Sequence, residues 1–256
     1  MGRALIRQYA GVDRRRRAIE GNGFSPLELS AVGCWLRNAT LSGAISSVAD
    51  LANPSSPATQ ATSARQPTGN ADGSMSFGGD DCLIVPFHAN NQSTTAIGFC
   101  FWLNNTSLAA QRNPFSQTGA AGASSSRGRL DILTTGAGTR TGGAAGGQGD
   151  NAAGSFTAGA PHFISVEFDG AAALGSRHSL FIDNVLIASS GDTLPAALTS
   201  ATGTWTIGAI DTSGTTGVLG SMGRNFYVLN SKMAGATQGL LTSTARAALM
   251  NFEPLA

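Results

Sequence analysis

The sequence predicts an all-β protein, and three observations carry that prediction. Only 12% of the 256 residues are charged while 34 are glycine. Ser, Thr, Asn and Ala fill the stretches between short apolar runs, as in chains of many strands joined by long loops. Within "FISVEFD", Ile164, Val166 and Phe168 alternate with Ser165 and Glu167, the period of a strand with one buried and one wet face. The length is within what a single large β-sandwich holds, with one terminal appendage.

That appendage is read at residues 1–29, and the body at 30–256. The arm holds Arg3, Arg7, Arg14, Arg15, Arg16 and Arg17, six of the 16 basic residues, together with Leu5, Ile6, Tyr9, Val12, Ile19 and Phe24. A run of like charge is ordinarily a solvated tail, but such a tail has little use for apolar side chains. The mixture predicts a docking strap in which Leu5, Ile6, Tyr9 and Phe24 fill grooves on a neighbouring subunit and the arginines pair with an oppositely charged surface.

The body opens with a strand in "ELSAVGCWLRN" (28–38), bulked by Trp35 and Leu36. Ile45 and Val48 predict a short strand before a Pro-punctuated surface loop. "GSMSFGGDDCLIVP" (73–86) reads as a hairpin about a Gly-Gly-Asp-Asp turn. The continuous apolar run of "TTAIGFCFWLNN" (94–105) predicts a strand buried on both sides. One strand is expected at 129–135, within long Gly/Ala/Ser/Thr-rich loops spanning 116–160. Those loops lack the following helix and the Lys-Ser/Thr pair of a phosphate loop.

Strands follow at 162–168, 178–182 and 185–189, the last two joined by an Asp183-Asn184 turn, then at 203–210 and 223–233. The end of the chain changes period: Leu241, Ala245, Ala248, Leu249 and Phe252 share a helical face, with Thr242 or Ser243 as cap.

A formal net charge of +1 provides no long-range field toward nucleic acid or an anionic membrane, and neither is expected as a partner. No stretch approaches the ~20 apolar residues of a membrane span. Cys34, Cys82 and Cys100 read as buried thiols in a reducing compartment, with one bridge left open.

In their order, these pieces resemble the concanavalin A-like, laminin-G-like jelly-roll superfamily, in the form common in phage virion and bacterial surface proteins. The resemblance covers about residues 30–253. It rests on Trp35-Leu36, "LSGAISSVAD" (41–50), the 60–68 loop, Phe77 to Leu83, Phe99 to Trp102, Phe-Asp-Gly at 168–170, Leu180 to Asn184, "WTIGA", and the closing "GRNFYVLNSKM" with its helix. It implies a two-sheet antiparallel jelly-roll sandwich with an extended N-terminal arm and a short C-terminal helix.

Hydrolases of that superfamily place paired carboxylates on one strand. The four glutamates here are Glu20, Glu28, Glu167 and Glu253, and only Glu167 with Asp169 comes near such an array, so no enzyme is expected. His88, His162 and His178 lack metal-ligand spacing and read as loop or strand-surface residues. Related domains bind calcium through loop oxygens, which makes Asp80, Asp81, Asn90 and Asn91 the candidate calcium ligands; no other cofactor is expected.

Sugar binding calls for an exposed aromatic ring. Trp35, Trp102 and Trp205 read as core, leaving Phe115 and Tyr9 as the candidates. The expectation is a non-catalytic bacteriophage virion structural protein (capsid decoration, collar, tail or baseplate component). It would be made in the host cytoplasm and anchored by its arm to other virion proteins and to copies of itself. The alternative is a carbohydrate-binding or host-receptor-binding module with glycan partners.

Overall fold

Period-two alternation and β-branched or aromatic runs become antiparallel strands wherever a neighbour can complete their hydrogen bonds. The computed structural model describes residues 24–91, 93–107, 112–117, 129–133, 136–140, 157–190, 196–198, 204–209 and 217–255. Residues 1–23 of the arm, with Tyr9 and all its arginines, lie outside them.

The strands are β1 (Val32–Arg37), β2 (Gly43–Ala44), β3 (Ser47–Asp50), β4 (Ala58–Thr59), β5 (Thr68–Gly69), β6 (Met75–Gly78), β7 (Leu83–Val85) and β8 (Ala96–Asn105). Then come β9 (Arg112–Gln117), β10 (Arg129–Leu133), β11 (Gly136–Arg140), β12 (His162–Asp169), β13 (His178–Ile182), β14 (Val185–Ser190), β15 (Trp205–Ile207) and β16 (Leu219–Leu229). The helix α1 (Ser243–Met250) follows.

One sheet runs β14-β13-β12-β8-β16-β1-β3, with β6 also pairing β16 and leading to β5 and β2. The other runs β4-β7-β15-β9-β10-β11. The short β3 pairs β1 on one side and β4 on the other, so it carries the chain from sheet to sheet. The result is a two-sheet antiparallel β-sandwich with one short C-terminal helix.

Between the sheets lies a core in which Phe99 packs on Phe115, Trp205 and Phe226, with ring centroids 4.3, 4.4 and 6.0 Å away. A second core forms on the outer face of the first sheet. There Trp35, Cys100, Phe163 and Tyr227 are covered by Leu240, Leu241, Ala245, Leu249 and Phe252 of the C-terminal segment.

This second layer corrects the one-wet-face reading of β12: Ser165 and Glu167 point away from the main core yet are fully buried, because the helix segment roofs them. It also claims Phe24, expected to dock on a neighbour, which stacks edge-on against Phe252 of its own chain at 5.9 Å.

Several expectations are met in detail. Asp183 and Asn184 take φ of 51° and 65°, the left-handed pair of a two-residue hairpin turn. The Thr242 hydroxyl accepts from the Ala245 N–H at 3.1 Å and caps α1. Thr242→Ala should cost about 1 kcal/mol, measurable as a lower urea midpoint at unchanged m-value. Cys34, Cys82 and Cys100 are buried free thiols.

Other expectations need correction. The 73–86 stretch is not a hairpin: β6 pairs β16 and β5, whereas β7 pairs β15 and β4, so its turn links the two sheets. Phe115 is core, not an exposed ring. The strand expected at 129–135 is present as Arg129–Leu133, but it is flanked on both sides, by β9 and by β11, and β11 falls in a region read as loop. His178 is wholly buried, not at a strand surface.

Candidate functional site

The site grows from Glu167, which β12 directs at the roof. Its Oε1 accepts from Arg246 Nε at 2.9 Å and Nη2 at 2.8 Å, and from the Ser165 hydroxyl. Its Oε2 accepts the Leu240 and Leu241 N–H groups, the latter at 3.1 Å. Both side chains are at least 97% buried, and charge-assisted bonds to every face of the carboxylate make that burial tolerable.

Gly239, at φ +69°, makes the approach sterically feasible; a Cβ there would lie 2.4 Å from Oε2. Arg246 also lies 3.5 Å over the Phe181 ring, a cation–π contact, and donates to Leu241 O and Asn184 Oδ1.

Above this pair opens a groove of about 390 Å³ between the β13–β14 hairpin and the loop leading into α1. Asn184, Thr237, Gln238, Thr242 and Ser243 supply amides and hydroxyls, and Leu186, 43% exposed, supplies an apolar wall. Asn184 Nδ2 donates to Ser243 O at 3.1 Å, and Gln238 Nε2 donates to the Ser179 hydroxyl at 2.7 Å. The walls of the groove are thereby held in place by hydrogen bonds.

The carboxylates nearest to a hydrolase pair are both committed. Glu167 belongs to the buried ion pair. Asp169 accepts the Ala171 N–H of its own turn at 3.0 Å, as its Phe-Asp-Gly context predicts, and the Lys232 ammonium at 2.5 Å. Neither presents a carboxylate to the groove.

The sequence-predicted calcium ligands divide between two places. Asp81 accepts the Gly78 N–H, and burial pushes its carboxyl above the ordinary value, with Asp80 adding to the shift. Asn91 is buried and bonds at both ends within its own loop, to His88 N and Pro86 O. Asn90 pairs with Asn53. Trp35 and Trp205 are core and donate to Asn225 Oδ1 and Asn91 O, while the half-buried Trp102 donates to Met250 O. Among the described residues the large exposed apolar side chains are Leu41, Leu174, Val185 and Leu186, none aromatic.

Arg246 was absent from the sequence reading. Its signal was available: position 246 falls beside Leu249 and Ala245 on the apolar face of the helix, where an arginine needs a buried counter-charge.

No protein-family profile matches the chain, and no curated protein matches it. Solved structures do. Trypanosoma rangeli sialidase with 2,3-difluorosialic acid, a covalent intermediate, superposes with a TM-score of 0.64 at 12% identity, covering 99% of this chain and 40% of the sialidase. The botulinum neurotoxin serotype D ligand-binding domain in complex with N-acetylneuraminic acid superposes with a TM-score of 0.58 at 10% identity, covering 88% of this chain and 52% of that one. The likeness is one of fold. It agrees with the β-sandwich, jelly-roll-like architecture, and the chain spans about two-fifths of the sialidase and half of the toxin domain.

Proposed function

We propose that this chain is a non-catalytic carbohydrate-binding module that takes a neutral glycan in the groove beside the β13–β14 hairpin. The observation that carries the reading is the groove itself: amide and hydroxyl side chains on a rigid frame beside an aliphatic wall, the lining that matches sugar hydroxyls and ring C–H faces. The solved structures of similar fold that hold sialic acid or its analogue support the class.

The preference for a neutral ligand follows from electrostatics. The cation at the groove floor, Arg246, already faces Glu167, so an acidic sugar would meet no uncompensated positive charge there. The arm's mixture of arginine and apolar residues, with the order of motifs, supports attachment of the module to a phage particle.

Calorimetric titration with neutral and sialylated oligosaccharides tests the reading. A neutral glycan should bind in the millimolar to micromolar range, about −4 to −8 kcal/mol. Leu186→Glu and Thr237→Val should each weaken it roughly tenfold or more, about 1.4 kcal/mol. Absence of binding across a broad panel, or binding untouched by both substitutions, overturns it.

A further inference from the structure

At the opposite edge of the same sheet, three side chains with metal-ligand chemistry converge from separate elements: Cys34 from β1, Asp50 from the end of β3, and His88 from the loop after β7. We propose that they form a binding site for a borderline divalent transition metal of the zinc type, with a fourth position left to water. The inference is independent of the glycan reading.

The spacing admits such an ion. One ligand atom from each residue lies within 4.8 Å of the other two, and His88 Nε2 is 3.5 Å from Asp50 Oδ2. Metal–ligand bonds of ~2.0–2.1 Å at a tetrahedral angle put a nitrogen and an oxygen about 3.4 Å apart. A thiolate, an imidazole and one carboxylate oxygen select zinc or cobalt over calcium or magnesium, which demand more oxygens.

A second observation points the same way: His88 Nε2 is buried without a hydrogen-bond partner, aimed at a carboxylate whose geometry is already locked. Asp50 Oδ1 accepts the Trp35 and Ala52 N–H groups at 3.1 and 2.9 Å, and Oδ2 accepts Asn53 Nδ2 at 2.8 Å. Outer-shell bonds of this kind orient a ligating carboxylate. Gly33 lets the histidine loop approach β1, since a Cβ there would sit 2.4 Å from Asn90 O. Cys34 and Asp50 are fully buried and the His88 side chain is 15% exposed, so entry is from the histidine side.

Loading the site exchanges protons in a defined way. Without metal, the Asn90 N–H donates to His88 Nδ1 at 3.3 Å, which puts the ring proton on Nε2. On binding, that proton is replaced by the ion and Nδ1 takes one from solvent, so the long, exposed Asn90 contact opens. The Cys34 thiol gives its proton to solvent, for a net release of one proton per ion bound.

Cobalt(II) titration of the reduced full-length chain reads this directly. The expected result is tetrahedral ligand-field absorption with a thiolate-to-cobalt charge-transfer band, both displaced by zinc. Cys34→Ser should abolish the charge-transfer band. His88→Ala, at a partly exposed position, should lower cobalt affinity roughly tenfold or more, and it serves as the test if the cysteine variant fails to fold. No charge-transfer band in the wild type overturns the proposal, as does a band that survives in Cys34→Ser or an affinity unchanged in His88→Ala. The three groups would then be a metal-free cluster in which thiol and imidazole share one buried carboxylate.

Discussion

Arg246→Ala should lower the unfolding free energy by about 3–5 kcal/mol, the cost of leaving a buried carboxylate without its counter-charge. Glu167 has no exposed surface, and after truncation its Oε1 would keep, among the described residues, only the Ser165 hydroxyl as a hydrogen-bond donor. The same substitution strips the cation from over Phe181 and loosens the loop whose Leu240 and Leu241 N–H groups grip Oε2. Urea titration followed by tryptophan fluorescence measures the change, as a lower midpoint at nearly constant m-value.

The double replacement Glu167→Gln with Arg246→Met separates the pair from its surroundings. It removes both charges and should cost less than Arg246→Ala alone, since a neutral amide tolerates the site better than a stranded anion. A single-mutant loss below about 1 kcal/mol, the scale of an exposed pair, would mean that water reaches Glu167 and that the helix does not seal the second core.

The contrast between what the sequence reveals and what it hides follows from where the information lies. β8 was legible because a continuous apolar run needs cover on both faces whatever its neighbours are. The β13–β14 hairpin was legible because Asp183-Asn184 accepts the positive φ that a two-residue turn demands. The helix announced itself by its change of period and its threonine cap.

Glu167 was misread because alternation says that two faces of a strand differ, not that a segment some 75 residues later will roof the polar one. The 73–86 stretch looked like a hairpin because a tight turn between apolar runs is the local signature of one, yet strand partners are chosen by the sheets and not by the turn. β11, "GAGTR", carries almost no intrinsic strand preference; its hydrogen-bonded neighbour β10 supplies the order. The Cys34–Asp50–His88 cluster was invisible for the same reason, since its members lie 16 and 38 residues apart along the chain and meet only where β3 crosses between sheets.

Between pH 6.5 and pH 4 the protein should lose about 3 kcal/mol of stability through a single buried histidine. Burial lowers the His178 pKa from 6.5 to about 4, because the site accommodates the neutral ring and not the cation. The unfolded chain therefore binds the proton more readily, so this contribution is whole above pH 6.5 and is lost as pH falls toward 4.

Two carboxylates lose stability in acid as well, but lower down. Asp72 is held below its ordinary value by hydrogen bonds from Ser74. So is Glu253, whose partial burial is outweighed by hydrogen bonds from Arg37 and Asn225 and by the charges of Arg37 and Arg224. Both titrate below the ordinary carboxylate range, which leaves the window from pH 6.5 to 5 to distinguish them from His178. Urea midpoints measured across that window should fall in the wild type and stay level in His178→Gln. A slope that persists in the variant would move the titrating group elsewhere and leave β13 with a histidine that water reaches. A slope that vanishes would establish that the face of β13 that His178 shares with Leu180 and Ile182, turned toward the main core between the sheets, is dry.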